Sequence, residues 1–265
     1  MSELIAPGTV WLVGAGPGDP ELLTRKAEKL IAAADIVFYD ALVGPGVLDL
    51  IPFGTERISV GKRAGRHSKD QASINDLLLA AAQTGKRVVR LKGGDPAIFG
   101  RTAEEVDHLS AHGITVKICP GITAASAAVA SAGASLTLRG GARNITFITA
   151  HVRAGEKSDV DWAAVADARS TLAIYMGKNA ASEVAVNLVE GGLKRDTPVL
   201  VVENASLPNE RLVQTRLDLL AVATSAGVTD GPAIFVIGEA IRPKKPPMEN
   251  ELAEVQRCRK VETQA

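Results

Sequence analysis

An α/β fold of two lobes enclosing a cleft is what this sequence predicts, and three observations carry the prediction. Runs of β-branched and aliphatic residues alternate with helical runs along most of the 265 residues, the pattern of a largely parallel sheet covered by helices. The composition is 46% hydrophobic but only 3% aromatic, so the core is expected to be aliphatic, with Ala and Val prominent. The alternation breaks at Gly133, Gly140 and Gly141, and a protein of this length can bury two cores.

The first series opens with a strand over 9–13, a helix near 20–34, and strands over 36–39 and 56–60. A helix over 71–83, a strand over 87–91, a helix over 103–112, a strand over 115–119 and a helix over 122–132 complete it. Residues 122–138 are apolar but rich in Ala and Ser and contain Gly133. They fall short of the roughly 20 residues of a membrane span, and read as a closely packed helix and a turn. The second series has strands over 144–150 and 171–176, a helix over 179–190, and strands over 197–202, 211–215 and 233–237. The predicted domains are therefore 9–133 and 143–241, followed by a charged tail, 242–265, that begins Arg-Pro-Lys-Lys-Pro-Pro.

Lys and Arg number 30, and so do Asp and Glu, so no global field recruits nucleic acid or an anionic membrane. A polyanionic substrate must meet a local basic cluster. Cys119 and Cys258 lie far apart with no metal-ligand spacing, so no metal is expected and a reduced compartment is the simplest reading. Residues 1–8 include Glu3 and Pro7 without a basic segment and a long apolar run. No secretory signal is read there, and the expected location is the cytoplasm.

The most informative segment is Arg90-Leu91-Lys92-Gly93-Gly94-Asp95-Pro96-Ala97-Ile98-Phe99-Gly100-Arg101. It follows a strand and precedes a helix, which puts it where open α/β sheets bind ligands. Gly93 and Gly94 allow positive φ and a close approach to the main chain, and Asp95-Pro96 suits a cap and the first position of a new turn. The loop Gly14-Ala15-Gly16-Pro17-Gly18-Asp19-Pro20 stands at an equivalent place but fails the dinucleotide pattern. Its sixth position is Asp19, whose charge would repel a pyrophosphate; an N-cap is the expected role.

Taken together, the motifs resemble one family. Val13 to Pro20, Tyr39-Asp40-Ala41-Leu42-Val43, Val60-Gly61-Lys62-Arg63, Arg90 to Arg101, Pro120-Gly121-Ile122-Thr123-Ala124 and Tyr175-Met176 occur in the order seen in the tetrapyrrole methyltransferases. The stretch Gly61-Lys62-Arg63-Ala64-Gly65-Arg66-His67, with Gln71 and Ile74-Asn75, is most similar to the branch that C-methylates uroporphyrinogen III.

The resemblance implies a homodimer of two α/β domains with S-adenosylmethionine held in the cleft between them. Two methyl transfers to uroporphyrinogen III would give precorrin-2 and S-adenosylhomocysteine, for cobalamin or sirohaem synthesis, without metal, membrane or nucleic acid. The implied donor contacts fall on Pro17, Gly93, Gly94, Asp95, Ile98, Thr123, Ala124 and Met176, with Ala205 where a glycine commonly sits. Backbone groups of the glycine loop can bond the methionine portion, Asp95 can favour a cation, and Ile98 and Met176 can touch the adenine. Asp40 is the implied base and Lys62 the implied proton donor. A carboxylate of ordinary pKa, about 4, is a weak base unless burial raises it, and a lysine needs burial or a cationic neighbour such as Arg63 to donate readily.

Arg63, Arg101 and Arg139 are the expected substrate-carboxylate ligands, with Arg66, Arg143 and Arg153 also in or beside loops. His67 reads as a polar residue on the substrate or dimer side, and His108 and His112 as one helix face. Leu138 departs from the family pattern, which carries His in Thr-His-Arg, and neither donates nor accepts a proton. Alternatives are another precorrin methyltransferase of the same fold, which the Gly61 to Asn75 stretch opposes, or a non-catalytic tetrapyrrole or S-adenosylmethionine binding protein, which the retained Asp40 and Lys62 oppose. The resemblance also leads to the expectation of a stand-alone enzyme, with a lean toward cobalamin synthesis.

Overall fold

The computed structural model describes residues 4–61, 71–151 and 160–243. The predicted tail lies outside them, apart from its first two residues. The described strands form two five-stranded sheets. The first contains β1 (Val10–Gly14), β2 (Ile36–Tyr39), β3 (Glu56–Ser59), β4 (Val88–Lys92) and β5 (Val116–Cys119), all parallel, in the order β3-β2-β4-β1-β5. Every residue of β1 and β4 is buried, as strands covered on both faces require.

The alternation of side chains along these strands assigns the helices to faces. Trp11, Val13, Val89 and Leu91 pack on Ala27, Leu30 and Ile31 of α1 (Arg25–Ala33). Val10, Leu12, Phe38 and Val88 point the other way, toward Ile74 and Leu78 of α3 (Gln71–Gln83) and Leu109 of α4 (Thr102–Ala111). A short α2 (Pro45–Leu48) lies between β2 and β3. Neighbouring strands β1 and β4 thus feed helices on opposite faces of the sheet. Their carboxyl ends form a switch point, the place where such sheets open a crevice.

The single helix expected near 20–34 is two elements. Asp19 caps a 3-10 turn, Pro20–Leu22, by accepting from the Glu21 amide at 2.9 Å, the role expected of it. Thr24 then starts α1 by accepting from the Ala27 amide at 3.1 Å. An extended cap residue between two helical segments interrupts the run that composition alone shows as continuous.

The second sheet contains β6 (Asn144–Thr149), β7 (Ser170–Tyr175), β8 (Pro198–Glu203), β9 (Arg211–Arg216) and β10 (Ala233–Ile237), in the order β6-β7-β10-β8-β9. It is mixed rather than largely parallel: β6 and β7 run parallel, while β7–β10, β10–β8 and β8–β9 are antiparallel. The connection from β8 to β9 holds no helix, and a short link of that kind joins antiparallel strands. One face of this sheet packs on Val184 and Leu188 of α7 (Ala181–Glu190) and on Leu220 at the start of α8 (Leu220–Gly227). Neither α8 nor the one-turn α6 (Trp162–Val165) is among the predicted elements, because short Ala- and Val-rich segments carry little helical periodicity.

The other face of the second sheet is covered by a helix from the first series. Ala125, Ala128 and Val129 of α5 (Ala124–Ser131) are buried against Ala173, Leu200, Val202, Ile234 and Val236. Small side chains let this helix lie close to the strands. It ties the two sheets into one packed body. No described helix is long and apolar enough to cross a membrane.

At the edge of the first sheet away from the switch point, Asp35 fixes the starts of β2 and β4. It accepts from the Arg87 amide at 2.7 Å and from the Arg87 guanidinium at 2.5 Å. The hydrogen bonds from the Arg87 side chain, then from its backbone, hold the Asp35 carboxyl at about 2, below its usual 3.8. A carboxyl depressed on folding contributes stability above its unfolded value and loses it as pH falls toward the folded one. The gap in stability between the parent protein and Asp35→Asn should therefore be full above pH about 5 and shrink between about 4 and 2, amounting to no more than about 1 kcal/mol because the pair is partly exposed. Urea denaturation across that pH range measures it, and a gap independent of pH would contradict it.

Candidate active site

Three loops meet at the switch point, backbone against backbone. Gly16 and Gly94 exchange amide hydrogen bonds of 3.2 and 2.7 Å across the β1 and β4 loops. A Cβ on Gly121 would lie 2.3 Å from the Gly94 carbonyl oxygen, and one on Gly14 would lie 2.6 Å from the Gly121 Cα. No side chain fits there. Gly94 has φ +70° with open space where a Cβ would stand, so its surface toward the crevice is bare main chain. Asp95 staples the arrangement, accepting from the Ala97 amide at 2.7 Å and the Gly121 amide at 3.0 Å.

The carboxyl ends of β6, β7 and β8 face these loops from the second sheet. The Tyr175 hydroxyl contacts the Thr123 hydroxyl and accepts from the Ala125 amide at 3.3 Å. Burial pushes its phenol pKa up. Its ring lies 5.2 Å from Phe99 and 6.1 Å from Phe147. On the other flank, the Asp19 amide donates to Ser206 Oγ at 3.0 Å. The described non-glycine residues with φ between 51° and 66° are Phe99, Arg101, Met176, Asn204 and Ser206, all in loops at these facing ends. Left-handed conformations at non-glycine residues carry strain and gather at functional sites.

The predicted donor residues converge here. Pro17, Gly93, Gly94, Asp95 and Ile98 come from the first sheet's loops, Thr123 and Ala124 from the start of α5, and Met176 from the end of β7. Met176 is apolar yet half-exposed. Ala205 is buried with α5 and the second sheet in one apolar cluster, so its methyl group has a packed place. Arg101 does not reach out freely: it forks onto Glu104 at 2.7 and 2.6 Å. Arg139 is exposed on the turn between α5 and β6. Lys62 and Arg63, with Arg66, His67 and Arg153, lie outside the described residues.

Asp40 stands at the end of β2, beside the glycine loop. Its Oδ1 accepts from the Leu42 amide at 3.0 Å and its Oδ2 from the Gly93 amide at 3.4 Å. Behind it is a cluster that the sequence reading did not single out. Arg90 and Lys92, two apart on β4 and so on one face, both reach Glu105 in the first turn of α4, at 3.3 and 2.6 Å. Arg90 also stands 3.7 Å from Asp40. Glu105 is fully buried and the two cations nearly so. The available signal was a pair of cations inside a strand flanked by apolar residues on both sides.

Burial pushes the Lys92 ammonium pKa down, and the adjacent Glu105 opposes that shift. Glu105 is therefore the member whose loss leaves the most uncompensated charge. Glu105→Gln should cost about 3–5 kcal/mol in guanidinium chloride denaturation, as when one partner is removed from a buried pair. Lys92→Met, which keeps the Arg90–Glu105 pair and removes a poorly solvated charge, should cost clearly less. Equal losses would show that the ammonium holds the cluster as much as the carboxylate does.

Comparisons with known proteins agree with this architecture. The model of the Tetrapyrrole (Corrin/Porphyrin) Methylases matches residues 9–221. A uroporphyrinogen-III C-methyltransferase of Pseudomonas aeruginosa is 45% identical over 235 residues, 89% of this chain and 95% of that one. Siroheme synthase 1 of Yersinia enterocolitica is 50% identical over 234 residues, 88% of this chain and 49% of its own length. The protein thus spans about half the length of the siroheme synthases it matches. Among solved structures, the uroporphyrin-III C-methyltransferase of Thermus thermophilus complexed with S-adenyl homocysteine superposes with a TM-score of 0.76 at 40% identity, covering 88% of this chain and 99% of that one. A cobalt precorrin-4 methyltransferase gives a TM-score of 0.80 at 30% identity, covering 89% and 97%. With the family model matching 9–221, well over half of its length, the chain belongs to the tetrapyrrole methylase family.

Proposed function

We propose that this protein methylates uroporphyrinogen III at two ring carbons, using S-adenosylmethionine, to give precorrin-2 for cobalamin or sirohaem synthesis. The observation that carries the reading is the bare main chain at Gly94, open where a Cβ would stand, among loops that hold every described left-handed non-glycine residue. That surface fits a folded small molecule with polar and apolar parts. S-adenosylmethionine, when bound, supplies an electrophilic methyl group. Pro17, Gly93, Gly94, Asp95, Ile98, Thr123, Ala124, Met176 and Ala205 are the residues proposed to hold it.

The protein's contribution is alignment, exclusion of water and handling of one proton per transfer. The reduced macrocycle supplies the electrons of the new carbon–carbon bond, and the ring system then loses a proton from another of its atoms, since the methylated carbon bears none. Asp40, fixed at the rim of the glycine loop, is the proposed acceptor of that proton, and Lys62 the proposed donor. Arg63, Arg101 and Arg139 are proposed to meet the substrate's carboxylates; Arg101 would exchange the Glu104 carboxylate for one from the substrate, a like-for-like swap at an exposed site. The same reading takes 9–133 and 143–241 as the two domains, and the protein as a cytoplasmic homodimer without membrane or nucleic-acid partner.

Anaerobic incubation with uroporphyrinogen III and methyl-labelled S-adenosylmethionine should place two labels on each macrocycle. Donor binding without transfer would instead identify a binding protein. Asp40→Asn should lower kcat about 100-fold, the usual scale for loss of a general base. Lys62→Met should also slow turnover, and wild-type rates in either variant would remove that residue from the mechanism.

A further inference from the structure

The cluster behind Asp40 has a direction. Side-chain exposure falls from 24% at Asp40 to 6% at Arg90, 5% at Lys92 and 0% at Glu105. The four groups balance in charge, and the one open to solvent is the carboxylate at the rim of the site. Arg90 is the link. Its Nη1 donates to the Leu91 carbonyl at 2.9 Å and its Nε to Glu105 at 3.3 Å, leaving Nη2 toward Asp40 at 3.7 Å. The strand positions beside it in register are Leu12 and Phe38. An apolar side chain at position 90 would suit that face of the sheet at least as well for stability alone, since buried ion pairs rarely outperform hydrophobic packing.

We propose that Arg90 is a positioning residue of the methyl-transfer site: clamped by Glu105 beneath the glycine loop, it holds the Asp40 carboxylate turned toward the crevice. The inference rests on the reading of Asp40 as the base. The two oxygens of Asp40 are not equivalent. Oδ1 makes an ordinary hydrogen bond with the Leu42 amide, whereas the contacts of Oδ2 with Gly93 and Arg90 are longer than the usual 2.7–3.2 Å. Oδ2 is the atom left able to take the ring proton. Once it does, Arg90 and Lys92 face Glu105 alone, and the surplus positive charge favours release of that proton before the second transfer. An unclamped guanidinium could instead swing onto Asp40 as a bidentate partner and occupy the accepting oxygen.

A double-mutant cycle on the full-length protein tests this. Arg90→Met should lower kcat about 10-fold, with the calorimetric Kd for S-adenosylhomocysteine and the KM for uroporphyrinogen III within about twofold of the parent. In an Asp40→Asn background it should add nothing, because a residue acting through Asp40 has no further effect once that carboxylate is gone. Arg90→Lys keeps a cation beside Glu105, protecting the fold, yet a single ammonium cannot span both carboxylates. It should show the same dependence on Asp40. Losses that multiply in both double variants would overturn the positioning role while leaving the base reading intact. Wild-type turnover in Asp40→Asn would overturn both.

Discussion

Everything near the site depends on the contact of three main chains at Gly14, Gly94 and Gly121. The distances there leave no room for a Cβ on Gly14 or Gly121, so the β1, β4 and β5 loops are locked by the absence of side chains rather than by their packing. A contact of this kind has little freedom to relax. It fixes where Asp95 can staple, where the Gly94 main chain opens and where α5 begins. The helix then leaves the first sheet at a set angle and lies on the second.

That departure is what sets the two edges against each other. Alanines along α5 allow it to approach β10 and its neighbours closely, and the Tyr175 hydroxyl holds the helix start through the Ala125 amide. The loop after β8 is drawn in from the far side by Ser206 and the Asp19 amide. Its own conformation is secured by Glu203, a fully buried carboxylate that accepts from the Thr229 and Gly231 amides at 3.0 and 2.7 Å. The left-handed turns at Asn204 and Ser206 are thus held by contacts on both sides, as strained backbone requires if it is to persist.

Much of this is legible in the sequence, and the remainder has physical reasons for being hidden. The expected spans 36–39, 71–83 and 233–237 coincide with β2, α3 and β10, because the two strands are short apolar runs rich in β-branched and aromatic residues, the helix is a longer run, and turn residues lie nearby. The capping role of Asp19 follows from its place before Pro20. The restart at Thr24 does not, since a threonine in a helical stretch becomes a cap only when the backbone around it is extended. Strand direction in the second sheet is equally hidden: periodicity reports which residues face a core, not which neighbour a strand chooses. The resemblance drew Pro17, the glycine loop, Thr123 and Met176 toward one place, and the structure sets them on loops at the facing carboxyl ends of the two sheets. It assigned no role to Tyr175, although the motif Tyr175-Met176 contains it.

The charges of β4 show most clearly how composition and site diverge. A protein with 30 basic and 30 acidic side chains has no net field, yet it places two cations and a carboxylate out of water beside Asp40 at the carboxyl edge of its first sheet. Such a cluster contributes little to stability, and its worth lies in geometry. Mobile surface arginines would screen and reorient with salt, whereas Arg90 is fixed by a strand, a carbonyl and Glu105. On the proposed mechanism, Asp40 must present an open carboxylate again after each of two successive proton transfers, and it gains from a partner that cannot follow the charge. On that mechanism, a buried constellation that adds little to the stability of the fold keeps the electrostatics of the site constant from one transfer to the next.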